Sequence, residues 1–191
     1  MFVLILPFLV HLAYGGSSQP ELLSNLTNAT WRDLLDFLRT REQIWLKAQK
    51  IHLQDTDCTV WIHFSTHNNT YEFQEMSRRG GLGSRKKSAF NKFAKLKNNT
   101  QQQPVMEISY HGPKPPPPVV LTLIFWIPNE KCSIFNSTKG GYEQRVWKSH
   151  LENSTLCDKI YNVLTRGSSI LIYKPSCLNP NYLCVGVPTY C

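Results

Sequence analysis

The chain lacks the short motifs that most often announce chemistry. Its 191 residues hold no Gly-x-Ser-x-Gly elbow, no His-Glu-x-x-His helix and no phosphate-cradling loop, so no enzyme class finds a foothold. No two cysteines stand in a Cys-x-x-Cys pair, which removes the usual zinc and thioredoxin-like readings. Beyond the first dozen residues no apolar run reaches the roughly 20 residues a membrane-spanning helix needs, so no membrane span is expected. No hydrophobic tail of the kind that precedes a glycolipid anchor closes the sequence. Acidic residues are missing altogether between Arg78 and Lys97.

What is present points to export. Met1 to Leu12 is almost wholly apolar, and Ala13-Tyr14-Gly15 offers small residues where a signal peptidase cuts, so residues 1–15 read as a secretion signal. Six cysteines follow it, an even set suited to an oxidising compartment. Six Asn-x-Ser/Thr sequons, at Asn25, Asn28, Asn68, Asn98, Asn136 and Asn153, are candidate glycosylation sites. The expected product is a secreted, extracellular glycoprotein: a lead-in over 16–29, one domain over 30–177 and a short tail over 178–191.

The formal net charge of +8 is concentrated in the acid-free window. Arg78, Arg79, Arg85, Lys86, Lys87, Lys92, Lys95 and Lys97 carry the whole excess. Such a run reads either as a solvated basic surface or as a lure for anionic partners, a host protein or a sulfated glycan among them. Nucleic acid is not expected for an exported chain without a binding motif.

Thr30 has the side chain to cap a helix, and Trp31, Leu34, Leu35 and Leu38 recur at helical spacing, so a helix is expected over 31–39. After it the period changes. Ile44–Leu46, Cys58–Phe64, Tyr71–Met76, Val105–Tyr110, Val119–Ile127, Cys132–Phe135 and Ile170–Tyr173 are short runs rich in β-branched and aromatic residues, mostly separated by turn residues. They predict an antiparallel sandwich or barrel. Residues 88–97 fit either a strand or a helix. Pro113 and Pro115–Pro118 make a stiff connector. A second helix is expected over Asn153–Leu164, and such a helix suits packing on a barrel wall.

Read in order, several stretches resemble the salivary lipocalins of ticks, the histamine-binding-protein-like family. They are Phe37 to Leu46, Cys58, Asn69-Thr70-Tyr71-Glu72-Phe73, Cys132-Ser133-Ile134-Phe135, Cys157-Asp158-Lys159-Ile160-Tyr161 and Tyr173-Lys174-Pro175-Ser176-Cys177. The resemblance implies a mainly β fold: an eight-stranded antiparallel lipocalin barrel with a short N-terminal helix and a C-terminal helix packed on it. It also implies disulfides Cys58–Cys177 and Cys132–Cys157, leaving Cys184 and Cys191 to each other. The implied activity is non-catalytic and monomeric, needs no cofactor or metal, and captures a small hydrophobic or amphipathic host mediator.

Amine-binding members of that family have an Asp after the second cysteine and a Glu-Leu-aromatic triplet later. Here Ser133 and Arg145-Val146-Trp147 stand in those places, which favours an anionic lipid, a leukotriene or fatty acid, over histamine or serotonin. Arg145 with walls from Trp45, Trp61, Phe73, Trp126 and Trp147 forms the expected ligand set, although alternation leaves Arg145 free to face in or out. His63 and His67 share a strand face but find no third ligand, so they read as ordinary histidines. The rival reading is a host-protein inhibitor of complement or platelet type, acting through the basic exterior.

Overall fold

The computed structural model describes residues 28–51, 56–79 and 86–179. The expected signal peptide, Asn25, Arg85, and Cys184 with Cys191 lie outside these residues. So do most of the lead-in and the tail. Helix α1, Trp31–Leu38, starts at Thr30, whose hydroxyl accepts from the Asp33 N–H while the Asp33 carboxylate accepts from the Thr30 N–H. This reciprocal cap satisfies donors that the first turn of a helix leaves orphaned. The helix stops one residue short of the expected end, with Arg39 as its C-cap.

The strands are β1 Ile44–Gln49, β2 Thr56–His67, β3 Thr70–Arg79, β4 Lys86–Asn98, β5 Pro104–Tyr110, β6 Val119–Ile127, β7 Cys132–Ser137, β8 Gly141–Trp147 and β9 Ile170–Leu171. Helix α2, Thr155–Thr165, lies between β8 and β9. Strands β2 to β8 pair antiparallel with their sequence neighbours, and β1 joins β8 to β2, closing an eight-stranded barrel. Closure removes the unpaired edges that an open sheet would expose. The ambiguous segment 88–97 is strand: Lys92, Ala94 and Leu96 are buried while Asn91, Lys95 and Lys97 are exposed, a period of two that no helix presents.

The closure has one seam. β1 pairs with β2 only at Ile44 and Trp45, then bulges between Leu46 and Ala48 and pairs with β9 instead. The Ile172 and Tyr173 N–H groups donate to the Lys47 carbonyl, and the Cys58 N–H donates to the Ile172 carbonyl. Residues 170–173 therefore fill the gap between β1 and β2, and the Cys58–Cys177 disulfide fastens them there.

Two apolar clusters divide the molecule. Leu34, Phe37 and Leu38 of α1 close one end of the barrel against Ile44, Leu123 and Phe135. Burying a side chain such as Phe37 contributes about 1.5–3 kcal/mol. Outside the wall, Cys157, Ile160 and Tyr161 of α2 pack on Trp45, Val60, Phe125, Ile134 and Val146. The helix is pinned by the Cys132–Cys157 disulfide and by Asp158, which accepts from Lys47 Nζ at 2.8 Å and from Gln144 Nε2 at 2.6 Å. Glu130 caps its N-terminus, accepting from the Leu156 and Cys157 N–H groups at 2.9 and 2.8 Å.

The basic window is not one surface. Arg78 is buried and paired with Asp57, and Lys92 is buried and paired with Glu75 at 2.6 Å, which corrects their expected place on the exterior. Alternation along β4 turns Lys92 inward, where a cation needs a carboxylate partner, whereas Arg78 of β3 is on the outer face, covered beside Asp57. Lys87, Lys95 and Lys97 are exposed, with Lys97 held by Glu107. The backbones of Arg79 and Lys86 lie in β3 and β4.

Candidate ligand cavity

Above the plug formed by α1, the barrel encloses a cavity of about 340 Å³. That is near the lower end of small-molecule sites. Leu46, Ile108, Val119, Leu121 and Ile172 provide its apolar wall. The lining reaches Tyr110 and Lys139 at the strand ends facing away from α1, so that end is the mouth.

The polar part of the cavity is built around Trp61. The Arg145 guanidinium lies over its indole ring, with Cζ 3.6 Å from the ring centre, and at the ring edge the Trp61 Nε1–H donates to Glu75 at 3.0 Å. Arg145 faces inward because β1 and β8 pair Leu46 with Arg145 inside the closed barrel, while its neighbour Val146 joins the outer cluster under α2. Its Nε and Nη2 both donate to one Glu143 oxygen, at 3.1 and 2.7 Å, and Gln49 Nε2 donates to the other at 3.3 Å. The second Glu75 oxygen accepts from Lys92 Nζ, which also sits over the Tyr110 ring.

Both carboxylates are thus engaged by donors on each oxygen, whereas several donors are left over. Arg145 Nη1 is buried and has no partner, in a side chain only 5% exposed. Tyr71 and Ser133 also bury unpartnered hydroxyls. Ser133 stands directly across from Arg145 on β7, and the Tyr71 hydroxyl feels the Arg145 charge. Burial pushes the Tyr71 hydroxyl far above the ordinary tyrosine range, so it stays a neutral donor. Burial alone would raise Glu75. The Lys92 charge and hydrogen bond outweigh it, with help from Arg145 and the Trp61 N–H, and hold Glu75 below the usual carboxylate value.

The six expected ligand residues separate into three places. Arg145 and Trp61 meet in the cavity, and Phe73, outside its lining, packs tilted against Trp61 at 4.8 Å. Trp126 and Trp147 lie at the closed end: Trp126 meets Phe37 edge-on, and the Trp147 Nε1–H donates to the Phe37 carbonyl at 3.1 Å. Trp45 is on the outer face, edge-on to Tyr173, outside the cavity lining. The sequence reading missed Glu143, Glu75, Lys92 and Tyr110. For Glu143 a signal existed, since it lies two residues from Arg145 and so on the same face of a strand. His63 bonds Thr66 and stacks on Tyr71, and no group of metal-ligating side chains occurs among the described residues.

No family model matches the chain, and no curated protein matches it in sequence. Among solved structures it is similar to japanin from Rhipicephalus appendiculatus bound to cholesterol, at a TM-score of 0.50 and 9% identity, over 70% of this chain and 92% of that one. A likeness at that identity speaks for the fold, and it agrees with the topology above. The chain therefore has the lipocalin fold, a closed eight-strand antiparallel β-barrel with two helices.

Proposed function

We propose that the protein is a secreted, non-catalytic scavenger that holds a small amphipathic ligand in the barrel. The preferred ligand is an anionic lipid such as a leukotriene or fatty acid, ahead of histamine or serotonin. The observation that carries this reading is Arg145 Nη1, a buried donor without a partner held over Trp61 in the cavity. A buried donor left unsatisfied costs about 1–3 kcal/mol, and a ligand oxygen placed there recovers it. A protonated amine would instead compete with Arg145, Lys92, Gln49 and Trp61 for carboxylates they already engage.

The setting follows from the sequence resemblance: a mediator of host inflammation or haemostasis would be removed by capture. Secretion is supported by the two disulfides and by the exposure of Asn28, Asn68, Asn98, Asn136 and Asn153, each open to a glycan. The test is native mass spectrometry of protein secreted from eukaryotic cells, mixed in turn with leukotriene, a long-chain fatty acid, histamine and serotonin. A one-to-one lipid adduct that Arg145→Met removes, in a variant with unchanged circular dichroism, supports the reading. An amine adduct, or none with any of the four, overturns it.

A further inference from the structure

One end of the barrel gathers exposed cations. Lys50 after β1, Lys114 between β5 and β6, Lys139 between β7 and β8, and Arg166 at the end of α2 are all exposed, and all belong to the mouth end. Among the described residues the carboxylate outside the cavity at that end is Asp57, which Arg78 and Lys174 already hold. Asp33, Asp36, Glu42, Glu130 and Glu152 lie at the opposite, closed end, where exposed Arg32, Arg39, Arg41 and Lys148 offset them. The mouth cations come from distant parts of the chain and gather only through the topology.

Exposed apolar side chains share the same end. Ile170 and Leu171 of β9 pair beside Gln49 and Ala48, where β1 reaches the mouth, and Ile51 follows two residues later. Leu171 is 56% exposed and Ile51 51%, and Phe90 stands exposed against Tyr110 at the rim. Glycans on the described sequons would not obstruct this face. Asn28, Asn68, Asn98 and Asn153 lie at the closed end, and Asn136 is on the side wall of β7.

We propose that the mouth docks on an anionic phospholipid surface, with the lysines meeting headgroups and Ile51, Ile170 and Leu171 entering the interface. A sulfated polysaccharide would match the cations but would give the apolar residues nothing to bury against. Lipid headgroups over acyl chains match both, as in other interfacial contacts. Docked this way, the cavity opens toward the bilayer, so an amphipathic ligand passes between membrane and barrel without crossing water. The contact stands apart from the identity of that ligand.

The experiment is flotation of the full secreted protein with vesicles of phosphatidylcholine alone and of phosphatidylcholine mixed with phosphatidylserine. Binding is expected on the mixed vesicles, falling as salt is raised. Each cation removed should weaken it about fivefold, so the triple variant Lys50→Ala/Lys114→Ala/Arg166→Asn loses on the order of 100-fold. Leu171→Ser should weaken vesicle binding at unchanged charge. The triple variant should keep any cavity adduct seen by native mass spectrometry, which separates this contact from ligand capture. Vesicle binding indifferent to these substitutions overturns the proposal. So does retention on heparin, lost in the triple variant, with no vesicle binding.

Discussion

Removing the Arg145 charge tests the interior network most directly. Arg145 and Glu143 are 5% and 6% exposed and share one short ion pair, so neither can turn to water when the other is lost. Arg145→Met keeps an apolar chain over Trp61 but leaves Glu143 with only the 3.3 Å contact from Gln49. It also withdraws one of the charges that stabilise ionised Glu75. Breaking a buried pair by deleting one partner costs about 3–5 kcal/mol, chiefly the uncompensated charge left behind. Glu143→Gln should cost a similar amount, because Arg145 then lacks its carboxylate. The double variant Glu143→Gln/Arg145→Met removes both charges and should lose less than either single change. Urea unfolding followed by tryptophan fluorescence supplies the four corners of this cycle. Single losses below about 1 kcal/mol, or costs that simply add, would refute the reasoning, since exposed pairs behave that way.

Three further outcomes follow from the same geometry. Opening Cys58–Cys177 with serine replacements should cost about 5 kcal/mol from a separation of 119 residues, against about 3.5 kcal/mol for Cys132–Cys157 at 25, as read by calorimetry. Equal losses would show that loop length does not govern them. Glu130→Ala strips two α2 N–H groups of their acceptor, and should cost about 1–2 kcal/mol with faster amide exchange at Leu156 and Cys157. Glu75 and Asp57 are both held below their ordinary values, so both contribute stability above about pH 4 and lose it as pH falls through their folded-state values. Acid titration of the unfolding free energy should therefore decline below about pH 4, and Lys92→Met should flatten the Glu75 part of that decline.

Much of this architecture could be read along the chain because it is local. Thr30 and the Trp31-Leu34-Leu38 spacing specify α1, and alternating β-branched and aromatic runs specify most strands, since periodicity depends only on near neighbours. Residues 88–97 satisfied both periods at once, and only pairing with β3 and β5 decided for a strand. Sequence also supplied Arg145 and Trp61 as partners in one site, but by composition and resemblance rather than by position.

Tertiary structure decided the rest, because the inside of a barrel is defined by closure. Whether Arg145 points in or out depends on Leu46 and Ser133 lying across from it, residues far away in sequence. Lys92 looked like part of a basic surface until alternation along β4 turned it toward Glu75. Trp45 looked like a pocket wall until α2 and Tyr173 covered its face from outside. The sequence by itself determined a disulfide-bonded chain of short amphipathic strands with a capped helix at its start. Which charges meet in its cavity, and which gather at its mouth, was set only when distant strands came into register.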